Sequence, residues 1–221
     1  MVRRVAGYSP DVLDNPASPL EQNSRGCGEV DPGDSINGMP APGTALAKLH
    51  STDKTLQNEA FQELMALTVA PVPWAYEIWD DIVKTCADKD NRRRAIAAQV
   101  LANLAQSDPE GRMARAFPFL LNVTRDERFV TARHALESLW KVAIVGAANQ
   151  KLVLTGLRNR FVECAAEKNC TLIRYDITVV LQTIHAHTND DGVREMSLEL
   201  IGTEMDEKYR KKYLTVWRTK R

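Results

Sequence analysis

The chain has little of what chemistry usually needs. It holds no GxSxG elbow, no HExxH pair, no P-loop and no GxGxxG turn, so the common hydrolase, zinc-protease and nucleotide-binding arrangements have no foothold. No catalytic residue and no cofactor is therefore assigned. Four cysteines (Cys27, Cys86, Cys164, Cys170) show neither CxxC nor framework spacing, which argues against a disulfide scaffold. The spacing of Cys164 and Cys170 admits a disulfide or half of a metal site, with reduced, partly buried thiols the simpler reading. No apolar run approaches the roughly 18–20 residues of a membrane span. The opening MVRRVAGYSPDVLDN carries charge with no apolar h-region behind it, so no secretory signal is expected and the expected compartment is the cytoplasm.

Net charge is absent too, being zero overall, but it is unevenly spread. Residues 1–43 carry three arginines against six acids, and the last sixteen carry seven basic residues against two acids. What lies between is slightly acidic, which argues against nonspecific nucleic-acid binding by the whole domain. Proline and glycine are scarce after residue 43, because six of the ten prolines and six of the eleven glycines lie within residues 1–43. Residues 1–43 show no apolar stripe and are read as a disordered tail, with room for a short binding motif around Tyr8–Leu13. Residues 44–221 are read as the folded domain.

What that domain does have is helical periodicity. In Asp90–Gln106, DNRRRAIAAQVLANLAQ, the apolar residues Ile96/Ala97, Val100/Leu101 and Leu104 share one helix face. Ser51, Thr52 and Asp53 offer caps for a helix over 54–69, which Pro71 and Pro73 stop. Further helices are expected over Trp74–Cys86, Glu127–Val145, Asn149–Ala166, Thr171–His187, Asp190–Thr203 and Asp206–Trp217. Another is expected over Pro109–Asn122, with Asp108 as its cap and a kink or early end at Pro118. About ten helices and no convincing strand make an all-α chain.

The helices repeat. Ala97, Leu101 and Leu104 match Ala60, Leu64 and Leu67 upstream, Ala132, Leu136 and Leu139 downstream, then Ile177, Leu181 and Ile184. The offsets of 37, 35 and 45 residues leave room between matches for one extra helix, the layout of an α-solenoid. The string Asp88…Arg94-x-x-Ala97-Ala98-x-Val100-Leu101-x-x-Leu104 resembles the second half of a HEAT repeat, over roughly residues 52–205 and most strongly over 72–145. The Arg position is Gln57 in the first unit and Phe129, beside Arg128, in the third; Arg174 restores it in the fourth. The resemblance implies a right-handed α-solenoid of about four to five HEAT-like, armadillo-like helical hairpins behind a disordered N-terminal tail. It also implies structural roles for Asp88, Arg94 and Arg174, and a scaffold or adaptor that binds a protein partner on its concave face without doing chemistry. Such folds also serve as DNA glycosylases and as lyase-type chaperones.

Positions turned away from the core stripe are the candidate partner-binding surface: Arg93, Gln99 and Asn103, then Arg128, Thr131, His134 and Ser138, then Asp176. Their mixed polarity suits a protein ligand better than a phosphate backbone. Arg92-Arg93-Arg94 is read as structural before it is read as an anion clamp. The basic final helix, with Tyr209, Tyr213 and Trp217 among its lysines and arginines, is read first as an end cap. Its alternative is a nucleic-acid contact, the runner-up function, with Asp176 beside Arg174 and Tyr175 as a glycosylase-like acid. His185-x-His187 lacks a third ligand, so no metal is expected. Oligomeric state has no signature in the sequence.

Overall fold

The computed structural model describes residues 35–36 and 39–218. The tail reading over 1–34, the motif around Tyr8–Leu13 and Cys27 lie outside the described residues. The described part begins with a two-residue antiparallel ladder, β1 (Ser35–Ile36) against β2 (Met39–Pro40), where the sequence suggested no strand. Everything after it is helical.

Ten α-helices follow: α1 (Pro42–Leu49), α2 (Lys54–Leu67), α3 (Ala75–Thr85), α4 (Asn91–Leu104), α5 (Met113–Val123), α6 (Phe129–Ala143), α7 (Ala147–Glu163), α8 (Cys170–Thr188), α9 (Asp191–Gly202) and α10 (Glu207–Leu214). The first opens on Pro42, so the folded part starts just ahead of residue 44. Aspartates start several helices by accepting otherwise orphaned amides. Asp53 takes the Thr55 amide at 2.7 Å, Asp90 those of Arg92 and Arg93 at 2.8 and 3.2 Å, Asp190 that of Gly192 and Asp206 that of Lys208. The start of α5 differs from expectation. Gly111, at φ +70°, carries the chain through a left-handed turn, so the helix begins at Met113 and not at Pro109. Asp108 still serves it from further back, accepting the amides of Arg112 and Met113 at 2.8 and 2.7 Å. The helix runs through Pro118 to Val123 without stopping there.

Helices of like parity lie side by side. Among the described residues, α2 packs on α4, α4 on α6 and α6 on α8, while α3 packs on α5, α5 on α7 and α7 on α9. The apolar triplets read from the sequence are all buried, each on an even-numbered helix, from Ala60, Leu64 and Leu67 on α2 to Ile177, Leu181 and Ile184 on α8. Flanked on both sides, α4 buries nine of its fourteen residues, so its second face is an interface as well. Gly156 of α7 lets α5 come close: a Cβ there would sit 3.0 Å from the Phe117 ring.

Charged clasps tie the turns together. Arg94, 17% exposed, reaches forward to Asp126, 4% exposed, with Nε and with Nη2 at 3.0 Å, and its Nη1 donates to the Asp88 and Lys89 carbonyls. Arg93 reaches back to the carbonyls of His50 and Ser51 at 2.8 and 2.9 Å, and Arg92 donates to Asn58 at 3.3 Å. Gln57, in the position of Arg94, donates to the Ser51 carbonyl, six residues upstream, as Arg94 does to Asp88. Arg174 donates to the Phe161 carbonyl and to Glu204. The buried Arg160, which the sequence did not single out, holds Glu167 through both Nη atoms at 2.6 and 2.8 Å and the Thr124 carbonyl through Nε.

Candidate functional site

The eight candidate positions fall into different surroundings. Thr131, Ser138 and Asp176 are buried, not on an open face, because side-by-side packing of the even helices covers the flank on which they lie. Thr131 and Asn91 bond each other across α4 and α6, and Ser138 donates to the Ala135 carbonyl. Asp176 meets Arg133, with Nη2 at 3.0 Å from one oxygen and Nε at 2.9 Å from the other. Burial pushes its carboxyl up to about 6 even so, with Arg133 pulling the other way. An acid so enclosed has no open cleft around it. Arg93 is spent on the α1–α2 turn, and Asp88 is held below its usual range by the Asp90 amide and Arg93, which outweigh its burial. Gln99 is half-buried and donates to Ala95. His134 and Arg128 have exposed side chains beside Glu137 and Glu127.

Asn103 is the candidate that leads somewhere. It lies in the floor of a groove of about 790 Å³ across α2, α4 and α6, with Thr68, Gln106, Trp140, Lys141 and Val145 among the lining residues. Polar groups on three helices form one directed chain there. Lys141 Nζ donates to Asn103 Oδ1 at 2.7 Å, Asn103 Nδ2 donates to Thr68 Oγ1 at 2.9 Å, and the Thr68 hydroxyl donates to the Leu64 carbonyl at 2.6 Å. Gln106 covers the end of α2 by donating to the Thr68 and Val69 carbonyls. Around this floor stand apolar groups facing water, with Val69 75% exposed and Ile144 and Val145 about 40%.

Among the described residues, Lys141 is the one ionisable residue in the groove lining. It has no carboxylate partner among the described residues, and partial burial lowers its pKa from the usual lysine range. It sits in the last turn of α6, where the helix dipole favours a cation by about 0.3–1 kcal/mol. A carboxylate about 4 Å from Nζ gains about 4 kcal/mol of Coulomb attraction at an effective dielectric near 20, before desolvation.

Elsewhere, Tyr213 and Trp217 bond inward, while Tyr209 is half-buried and stacks beside Tyr213. Tyr213 is fully buried and donates to the Thr171 carbonyl at 2.9 Å, Trp217 Nε1 donates to Ser197 at 3.0 Å, and Lys212 lies over the Tyr175 ring. His187 stacks on Trp140 with centroids 4.8 Å apart, while His185 Nδ1 lies 3.0 Å from the Asp190 carbonyl oxygen. No metal-holding cluster occurs among the described residues, and no described helix is long and apolar enough to cross a membrane. Lys141, Trp140, Thr68 and Gln106 escaped the sequence reading because they lie past the matched apolar triplets, Thr68 and Trp140 eight places beyond the matched alanine and Gln106 and Lys141 nine. The one trace they left was the apolar–polar mixture at the C-terminal ends of three matched helices. No protein-family model matches the chain, and no curated protein matches it.

Proposed function

We propose that the chain is a non-enzymatic HEAT-like α-solenoid of four to five helical hairpins, a scaffold or adaptor that takes a protein partner on the face of its even-numbered helices. The observation that carries this reading is the groove over α2, α4 and α6, with a hydrogen-bonded polar floor and water-facing valines and isoleucine on its rim. Such a mixture is how protein interfaces are built, with apolar contact supplying affinity and placed polar groups supplying register. The solenoid reading draws on like-parity packing and on the shared turn geometry of Gln57 and Arg94.

The runner-up, a nucleic-acid-binding protein of glycosylase type, leans on the lysines of α10. Of its stacking residues, however, Tyr213 is buried, and Tyr209 and Trp217 are half-buried, with the Trp217 N–H committed to Ser197. One experiment separates the two: affinity capture from lysate by the tagged full-length chain, with and without nuclease. The expected result is a discrete protein partner that survives nuclease, is lost with V69D in the groove and is kept with V162D on α7. Both valines are well exposed, so neither change disturbs the core. Nucleic-acid recovery, with partners lost on nuclease treatment, overturns the proposal, as does capture of no partner.

A further inference from the structure

We infer that the groove over α2, α4 and α6 receives a peptide segment of the partner bearing an acidic side chain flanked by aliphatic residues, with its carboxylate on Lys141. This deepens the function proposed above and rests on it.

The hydrogen-bonded chain across the floor is directed: each acceptor on it is already used, down to the Leu64 carbonyl. Its open end is the Lys141 ammonium, which has three protons and, among the described residues, one hydrogen-bond acceptor, Asn103 Oδ1. A ligand seated there must bring acceptors. Among the described residues, the lysine also carries the only formal charge in the lining and is half-buried without a counter-charge. A cation in that position, with Asn103 Oδ1 and the Trp140 ring beside it, lacks full hydration and a counter-charge among the described residues, and a carboxylate supplies the charge. Phosphate bears more charge than a single lysine can neutralise. The rim then selects the neighbours of the acid. Val69, Ile144 and Val145 present aliphatic surface to water beside the Trp140 ring, which fits leucine-like side chains on either side of the glutamate or aspartate.

The probe is an array of acetylated, amidated ten-residue peptides, each with Leu, Ile or Val flanking a central Glu, beside copies carrying Gln or Lys in the central place. It is read with the full-length chain as wild type, K141M and K141R. Wild type is expected to retain the Glu peptides at least tenfold better than the Gln copies and to reject the Lys copies. In K141M the Glu-over-Gln preference disappears, whereas K141R, which keeps charge and donors, retains it. Equal retention of Glu and Gln peptides by wild type overturns the inference, and so does a Glu preference that persists in K141M. A dimer in analytical ultracentrifugation that K141M dissolves would make a second copy the occupant and equally overturn it. If V69D loses a captured partner while K141M keeps it, the acidic-peptide inference fails and the adaptor reading stands. If nothing is captured, the adaptor reading itself fails.

Discussion

Removing Asp126 tests how the turns are held. In D126A the Arg94 guanidinium loses a two-point partner and keeps only the Asp88 and Lys89 carbonyls, at 2.8 and 3.0 Å. Nε and Nη2 are stranded in a place where Arg94 is 17% exposed. Breaking a buried pair from one side costs about 3–5 kcal/mol, and the residual access of water places this case near 3. The same substitution removes the acceptor of the Arg128 amide, 2.9 Å from Asp126 Oδ1, for about 1 kcal/mol more. The total of about 4 kcal/mol corresponds to a fall in Tm of roughly 10 °C for a chain of this size. Urea unfolding followed by circular dichroism gives the free energy directly. D126N, which keeps one acceptor for Arg128, is expected to lie between wild type and D126A. The double variant R94M/D126A, with neither charge left behind, is expected to be more stable than the sum of the single changes predicts, by about 2 kcal/mol. A D126A cost below about 1 kcal/mol, additive with R94M, would mean that the pair behaves as a surface ion pair and would refute the clasp.

Asp176 gives a pH signature. Its carboxyl is raised to about 6 in the fold from an ordinary 3.8. Between those values the folded chain holds a proton that the unfolded chain has lost, so the group's stabilising contribution is full below about pH 4 and is lost as pH rises through 6. Wild type should lose about 3 kcal/mol relative to D176N across that window, with Arg133, Glu137 and Lys212 as the charges that tune it; a flat or rising difference in urea midpoints contradicts the burial argument. G111A places a Cβ on a residue at φ +70° with open space around it, so the cost is backbone strain alone, about 1 kcal/mol, and an unchanged melting curve would deny the left-handed turn. Burial pushes the thiols of Cys86 and Cys164 up to about 12, and both are expected to resist alkylation at neutral pH until the chain unfolds. Peptide mapping showing either one modified in the folded protein would refute that.

How much of this was legible depended on which forces act along the chain and which act across it. Helix positions were readable because their causes are local: aspartates two residues ahead of the amides they accept, and apolar triplets that recur at similar spacing. Arg94 was expected to pair with Asp88 or a neighbouring turn, and it grips the carboxylate of Asp126 and the carbonyl of Asp88. The start of α5 was misjudged because a proline after an aspartate looks like a first turn, and the φ of Gly111 is invisible in the sequence. The surface was misjudged for a different reason. Periodicity marks one buried face per helix, while side-by-side packing buries a second, so Thr131, Ser138 and Asp176 went inside. The groove was hidden because Thr68, Asn103 and Lys141 meet only when three helices are in place.

The substantial helix contacts of the described part join helices one or two places apart in the chain. A molecule wired in this way has no keystone. Each helix draws its protection from near neighbours, so opening is graded and not all-or-none along the array. Amide exchange should be slowest in α4 and α6, covered on both flanks, and quicken towards α1 and α10. The groove lies over the slowest pair together with α2, on the most persistent stretch of the chain. A partner seated there would hold on to the part that opens last, leaving the far end, α8 to α10, free to breathe while the complex is intact.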